Sequence, residues 1–130
     1  MALDLKEVAP IQRRIVSHPM IDGFTEDYLN VYAGEDGAGG IPHLYVVTNK
    51  TGGVLCEIVL QEGHPKDGIN GIGNQTLMLI LHDFLKKANA GEFACRENSV
   101  QLTKIEEAMQ WSKQRELDRK QRGVLQTYKK

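Results

Sequence analysis

The sequence is poor in metal ligands and nucleophiles. Its two cysteines, Cys56 and Cys95, lie far apart, with no CxxC motif and no histidine at ligand spacing, and its four histidines are equally scattered. This pattern argues against a zinc site or a redox pair, and it predicts two reduced, partly buried thiols. Since no cluster of Asp, Glu, Cys or His has suitable spacing for hydrolytic chemistry, we predict a protein that is not an enzyme, with no catalytic residue, metal or cofactor.

Long apolar runs are also missing. No segment approaches the length that spans a bilayer, and the first ten residues lack the basic and apolar blocks of a signal peptide. We therefore expect a cytoplasmic protein with no membrane partner. The chain has 130 residues, a quarter of them charged, and we expect residues 1–130 to form a single domain that buries a core without disulfides or metal.

Glycine and proline are absent from residues 93–122, where good helix formers dominate. This absence predicts one long helix that starts near Asn98 and ends at Gly123. About 25 residues at about 1.5 Å each make an element longer than a small domain is wide. Such a helix needs a partner along its length.

The partner is predicted immediately upstream, in the segment QTLMLILHDFLKKANAG. Six apolar residues fall at helical spacing on one stripe, and Gly91 is placed to end the helix. The stripe comprises Leu77, Ile80, Leu81, Phe84, Leu85 and Ala88. A short connection forces two such helices to run antiparallel, so residues 75–122 are predicted to form a helical hairpin whose second helix outruns the first from about Trp111. On that second helix, a stripe of Leu102, Ile105, Met109 and Ser112 should meet the first.

Residues 28–62 have the alternating pattern of strands and predict a three-stranded β-meander. Residues 54–60 are apolar on both faces, so we expect them to form a central strand of the sheet. The glycine-rich segment 34–40 is followed by a strand, so it suits a hairpin connection better than a phosphate loop. Residues 1–27 could hold a short helix or an additional strand. The predicted fold class is α+β: a small antiparallel β-sheet followed by an antiparallel two-helix hairpin with a long C-terminal helix.

Residues 63–74 are predicted to form a glycine-rich loop before the first helix, with Asn74 as its N-cap. The glycines and Lys66 could present N–H groups and an ammonium to an anion. The alternative is a loop whose glycines only relieve backbone strain.

Basic residues are concentrated at the C-terminal end, where residues 111–130 carry seven basic and two acidic side chains. Trp111, Arg115 and Arg119 follow one another at four-residue spacing, and Arg122 comes three residues later. Arginines one turn apart beside an aromatic ring suit a phosphorylated nucleotide, because the guanidinium fork matches phosphate oxygens and the ring offers a stacking surface. The alternative is a solvated helix end neutralised by its two acidic neighbours, with the tryptophan in the core.

The segment FACRENSVQLTKIEEAMQWSKQRELDRKQRGV, preceded by INGIGNQTLMLILHDFLKKANAG, resembles the helical hairpin of two groups of bacteriophage proteins. These are the anti-CBASS cyclic-nucleotide sponges and the Thoeris anti-defence sponges of the first type. The anti-CBASS group is short and all-helical, whereas this chain has a β-rich region ahead of the hairpin. The resemblance, which covers about residues 28–125, therefore points to the Thoeris group.

The resemblance implies immune evasion by sequestration in the cytoplasm of the infected bacterial host. Members of the family bind glycocyclic ADP-ribose, the cyclic ADP-ribose isomer made by Thoeris TIR-domain proteins, and hold it intact. Some also bind the cyclic di- or trinucleotides of CBASS, and members assemble as dimers or hexamers. The alternative function from the residues alone is a nucleic-acid-binding or structural oligomerisation module that uses the basic C-terminal helix, although we expect no nucleic-acid partner.

Several positions match the ligand-binding pattern of the family. The resemblance implies that Arg115 and Arg119 hold a diphosphate, and that Asn98 hydrogen-bonds a ribose or base edge. The competing interpretation of Asn98 is an N-cap with Gln101 completing a capping box. Further candidates are Phe93 or Phe84 for base stacking, Lys66 for a further ligand contact, and Arg96, Arg122 and Trp111 for a second site or an interface.

Overall fold

The computed structural model describes residues 14–21, 23, 28–125 and 127. The chain divides into two compact units, residues 1–72 and residues 73–130. The first unit contains the sheet and the second contains the helical hairpin. The single domain expected from the sequence stays a prediction.

The described residues of the first unit form a four-stranded antiparallel sheet in the order β1-β2-β3-β4. The strands are β1 (Arg14–Val16), β2 (Leu29–Ala33), β3 (Leu44–Asn49) and β4 (Val54–Val59). The predicted meander and the α+β class are confirmed. For residues 1–27, the sequence left a short helix or an additional strand as alternatives. The additional strand is confirmed as β1, which pairs with β2. The rest of the segment proposed for the helix lies outside the described residues.

The core of the sheet lies on its two central strands. Val46 and Thr48 alternate along β3 and are buried, as is Ala33 at the end of β2. Strand β4 lies at the edge, so its prediction as a central strand is wrong: β1 adds beside β2 and leaves β4 with one full partner. Cys56 on β4 is exposed, and so is Cys95 in the second unit, which corrects the expectation of partly buried thiols.

Two glycine-containing turns join β2, β3 and β4 in sequence. Residues 34–43 connect β2 to β3 as a hairpin, with the Gly37 N–H donating to the Ile41 carbonyl, so the phosphate-loop alternative is again disfavoured. Between β3 and β4, the Asn49 side chain accepts hydrogen bonds from the N–H groups of Thr51 and Gly53. Gly52, between those two, takes a φ of +97°, which glycine adopts without steric cost.

The connector after β4 is tied together by two amide side chains. Asn70 accepts from the Glu62 N–H at 2.8 Å and donates to the Glu62 carbonyl at 2.8 Å, while Gln61 accepts from the Asn70 N–H. A Cβ on Gly71 would lie 2.4 Å from the Leu60 carbonyl carbon, so this position requires glycine. At Gly71, the structure therefore supports the interpretation in which a glycine of this loop serves the backbone and not an anion.

The second unit is an antiparallel helical hairpin of α1 (Asn74–Ala88) and α2 (Arg96–Gln121). Three cross-helix contacts fix the direction: Gln75 to Ser112, His82 to Glu106 at 3.6 Å, and Asn89 to Ser99. Residue numbers rise on one helix as they fall on the other, so the predicted hairpin is confirmed. Gly73, rather than Asn74, occupies the N-cap position of α1.

The predicted packing stripe of α2 is confirmed, because Leu102, Ile105, Met109 and Ser112 are half-buried between exposed neighbours. The stripe of α1 is only partly right. Leu85 is buried, and Leu77, Met78, His82 and Ala88 are half-buried, whereas Ile80, Leu81 and Phe84 are exposed. The covered face of α1 is thus rotated toward Met78 and His82, and an apolar strip stays in solvent.

Candidate ligand-binding site

The far end of α2 extends beyond α1. Gln75, the second residue of α1, donates hydrogen bonds to Ser112 at 2.9 Å and to Glu116 at 2.8 Å. Residues of α2 that follow Glu116 therefore lie past the start of α1. The predicted overhang exists, but it begins about one turn later than Trp111, because the connection between the helices spans the seven residues 89–95 and shifts the register.

The overhang ends in a tight reversal. Gly123 has a φ of +71°, the Gly123 N–H donates to the Lys120 carbonyl, and the Val124 N–H donates to the Arg119 carbonyl at 2.9 Å. These two bonds form a Schellman motif, which depends on a residue that accepts the left-handed conformation. The chain after Gly123 consequently folds back against the last turn of α2.

Arg119 is buried under this returning segment and is only 6% exposed. Its Nη2 donates to the carbonyl oxygens of Val124 at 2.9 Å and Thr127 at 2.8 Å. At about 100° per residue, Arg119 lies about 20° around the helix from Ser112 but about 80° from Trp111. Arg119 therefore belongs to the covered stripe of α2, and the solvent-facing stripe predicted through Trp111, Arg115 and Arg119 ends at Arg115.

Arg115 is exposed and makes no hydrogen bond or ion pair with any residue that the structure describes. Its acidic neighbours are engaged elsewhere: Glu116 accepts from Gln75, and Asp118 pairs with Arg122 at 3.0 Å. Trp111, one turn before Arg115, is 75% exposed, so its interpretation as a core residue is wrong. Together, Trp111 and Arg115 form an accessible aromatic and cationic surface.

The opposite end of α2 carries the asparagine. Helix α2 begins at Arg96 with Cys95 as its N-cap, so the capping interpretation of Asn98 is wrong. Instead, Asn98 Nδ2 donates to the Phe93 carbonyl at 3.1 Å, which leaves its side-chain oxygen available. Phe93 is 73% exposed, and Arg96 is exposed beside it.

Two further candidates belong to other elements. Phe84 is 66% exposed in the middle of α1. Lys66 is exposed in the other unit, within a one-turn 3-10 helix, Pro65–Asp67.

The predicted residues thus fall into two groups on the hairpin. Asn98 is hydrogen-bonded to Phe93 at the start of α2, while Trp111 and Arg115 lie one turn apart just before the overhang, with Arg119 one turn further on. Asn98 and Arg115 are 17 positions apart on α2, a distance of about 25 Å at about 1.5 Å per residue. A single hairpin does not bring the two groups together.

The residues that sequence reasoning missed are Val124 and Thr127, whose carbonyl oxygens hold Arg119. The available signal was Gly123 directly after a basic helix, since a glycine there reverses the chain onto the preceding turn. Within the described ranges, no group of three or more His, Cys, Asp or Glu residues could hold a metal ion. None of the helices in those ranges is long and apolar enough to cross a membrane.

The helical hairpin is similar to a domain of known proteins. Residues 53–115 match the family model described as the Acb2/Tad1 hairpin domain. This part of the chain, a little under half of its length, is similar to that hairpin domain. The family match covers β4, the connector, α1 and α2 as far as Arg115, so it includes Asn98 and Arg115 and ends before Arg119.

The chain is also similar to a protein named Thoeris anti-defense 1 from Bacillus phage SBSphiJ7. The two are 38% identical over 79 residues, which cover 60% of this chain and 56% of the relative. The chain thus matches a little over half of the length of that relative. The resemblance predicted from the sequence is confirmed.

Proposed function

We propose that this protein is an anti-Thoeris sponge, which binds glycocyclic ADP-ribose in the cytoplasm of the infected host and holds it without cleaving it. Captured signal is unavailable to the Thoeris effector, so the effector is not activated. Support comes from the match to the Acb2/Tad1 hairpin family and from the similarity to a phage protein named for Thoeris anti-defence. The cyclic di- or trinucleotides of CBASS are further candidate ligands.

The observation that carries the proposal is the exposed pair of Trp111 and Arg115. A guanidinium with no partner among the described residues is available to a phosphate group, and it can donate two parallel hydrogen bonds to phosphate oxygens. The indole one turn away offers a flat face for a base. A cyclic ADP-ribose carries both of these chemical features.

The separation of the two residue groups leads to a dimeric site. A cyclic ADP-ribose is far shorter than the roughly 25 Å of helix between Asn98 and Arg115. If both residues touch one ligand, they come from different subunits, with the start of one α2 beside the end of the other. A two-fold symmetric homodimer forms two such sites, because in an isologous contact the start of each α2 lies beside the far end of its partner's α2. The hexamer that the resemblance also implies is not needed for this site.

In the proposed site, the far end of one α2 and the start of the other bind different parts of the ligand. Arg115 and Arg119 hold the diphosphate, while the side-chain oxygen of Asn98 accepts a hydrogen bond from a ribose or the base. Phe93 stacks on the base, with Phe84 as the alternative. Trp111 offers a further stacking face or a subunit contact, and the other candidates for a further contact, a second site or the subunit interface are Lys66, Arg96 and Arg122.

Enclosure between subunits also supplies the affinity that a sponge requires. Binding at nanomolar ligand corresponds to about -12 kcal/mol, which a ligand lying on one exposed helix face does not reach. A second subunit that covers the basic face removes the ligand from water and strengthens its contacts with the arginines.

The test is a capture-and-release experiment. The protein is mixed with glycocyclic ADP-ribose, free ligand is removed by gel filtration, and the protein is then denatured and the released nucleotide analysed by mass spectrometry. We expect unaltered ligand. A cleaved product would indicate an enzyme, and no retained ligand together with salt-sensitive binding to DNA or RNA would favour the nucleic-acid-binding module.

A matched pair of variants makes the experiment specific. Arg115→Ala removes the proposed phosphate contact, whereas Lys113→Ala removes an equal charge from an exposed position two residues away. We expect loss of capture only in the first variant. Equal loss in both would indicate that general positive charge, and no defined site, retains the nucleotide.

A further inference from the structure

The bonding of Arg119 is unusual for a residue assigned to an anion. The two hydrogens of its Nη2 are both used, one on the Val124 carbonyl and the other on the Thr127 carbonyl. With 6% of the residue exposed, little of the guanidinium faces solvent. The returning backbone occupies the group that the proposed function assigns to a diphosphate.

The geometry of the guanidinium explains why these two hydrogen bonds interfere with phosphate binding. A phosphate receives two parallel hydrogen bonds either from Nη1 and Nη2 or from Nε and Nη2. Both arrangements use Nη2. While Val124 and Thr127 hold the two Nη2 hydrogens, neither arrangement is complete, and Arg119 cannot grip a phosphate with two bonds.

The segment that holds Arg119 has a defined conformation of its own. Thr127 donates to the Val124 carbonyl from both its N–H, at 3.1 Å, and its Oγ1, at 2.5 Å. Val124 is in turn anchored by its N–H on the Arg119 carbonyl, after the reversal at Gly123. We call this described segment, residues 123–125 and 127, the C-terminal latch.

We propose that the C-terminal latch competes with an anionic ligand for Arg119, so that binding of a diphosphate opens the latch. The inference rests on the proposed function and adds a regulated step to the same site. Backbone carbonyls stand in for phosphate oxygens in the free protein, and they neutralise part of the cost of burying a cation. The apparent affinity is then the intrinsic affinity multiplied by the fraction of protein whose latch is open.

The first test strains the latch without touching a ligand contact. Gly123→Ala places a Cβ at a φ of +71°, a conformation that costs a residue other than glycine about 1–2 kcal/mol. Because that cost falls on the closed latch, full-length Gly123→Ala should bind inorganic pyrophosphate and glycocyclic ADP-ribose roughly five- to thirtyfold more tightly than the wild type in calorimetry. Equal or weaker binding would overturn the latch.

Gly52→Ala is the matched control. Gly52 also has a positive φ, +97°, and, like Gly123, has no atom within 4 Å of a built Cβ, but it lies in the β3–β4 turn of the other unit. It should lose comparable stability in a thermal melt and keep wild-type affinity. A similar gain of affinity in Gly52→Ala would attribute the effect to general loosening and would also overturn the proposal.

Hydrogen exchange gives a signature that a purely structural tail would not show. Ligand binding normally slows amide exchange, but opening the latch should accelerate exchange at the Thr127 amide, which is bonded to the Val124 carbonyl in the free protein. Slower exchange at Thr127 in the complex would mean that the ligand is bound with the latch closed, and the proposal would fall.

The two proposals fail in distinguishable ways. If wild type and Gly123→Ala both retain the cyclic nucleotide with equal affinity, the latch is wrong and the sponge stands. If neither protein retains it, the sponge is wrong, and the latch falls with it. If only Gly123→Ala binds, both proposals are supported, because the closed latch then accounts for the failure of the wild type.

Discussion

The two ends of α2 differ in what surrounds them, and the difference separates two arginines that look alike in sequence. At the first end, α1 runs alongside, and Asn98 is held by the Phe93 carbonyl while its surroundings stay exposed. At the far end, α1 has stopped, and the chain covers α2 with its own C-terminal latch. Arg115 lies just before the region that the latch covers and Arg119 lies within it, so one is exposed and the other is 6% exposed.

This contrast teaches that spacing along a helix does not by itself define a binding surface. Arg115 and Arg119 are one turn apart and share a residue type, yet the first makes no hydrogen bond or ion pair with a described residue and the second is bonded to two carbonyls. The same substitution at the two positions should therefore affect different properties.

Replacing Arg115 should damage binding and leave folding intact. A charge-assisted hydrogen-bond pair to phosphate contributes about 1.5–3 kcal/mol, so Arg115→Ala should weaken ligand binding by roughly 10- to 100-fold in calorimetry. Because the side chain is exposed and unpaired within the described residues, the melting temperature should not change measurably. A loss of stability in Arg115→Ala, or wild-type affinity, would show that the site is misplaced.

Replacing Arg119 should lower stability as well as affinity. Arg119→Ala removes two hydrogen bonds from a buried cation and frees the C-terminal latch, at a cost of about 2 kcal/mol in the free energy of unfolding. Urea denaturation of the two alanine variants gives the comparison directly, since the unfolding midpoint should fall for Arg119→Ala alone. Identical midpoints would mean that the latch contributes nothing to folding.

Replacing Asn98 should give the smallest effect. Asn98→Ala removes one neutral hydrogen bond to the Phe93 carbonyl and one proposed ligand contact, so stability and binding free energy should each fall by about 1 kcal/mol. Asn98→Asp is the matched variant, because it keeps an acceptor for the ligand but loses the donor to Phe93. It should lose the stability of Asn98→Ala while retaining more of the affinity; equal affinities would remove the side-chain oxygen of Asn98 from the site.

Much of the fold could be predicted because local patterns and packing agree. The stripe of Leu102, Ile105 and Met109 predicts which face of α2 meets α1, and the alternation in residues 28–62 predicts the meander. These signals depend on periodicity, which the sequence carries directly. The helix end at Gly123 was likewise visible from residue type.

The arrangement of the site was harder to predict, because it depends on register and on contacts distant in sequence. The length of the 89–95 connection decides where α1 stops beside α2, and no local pattern reports it. The burial of Arg119 depends on where the chain after Gly123 returns. The exposed strip of Ile80, Leu81 and Phe84 arises in the same way, because periodicity marks an apolar stripe without saying which edge of it α2 covers.

The central claim is that the opposite ends of two α2 helices build one ligand site across a dimer, and subunit complementation tests it most directly. Asn98→Ala and Arg115→Ala proteins are denatured together in equal amounts, refolded, and titrated with glycocyclic ADP-ribose. Each variant alone has a defect in every site, whereas a mixed dimer has one intact site and one doubly defective site. The mixture should regain about one quarter of the wild-type number of high-affinity sites, since half of randomly paired dimers are mixed. A mixture that binds no better than the average of the two variants would contradict a shared site.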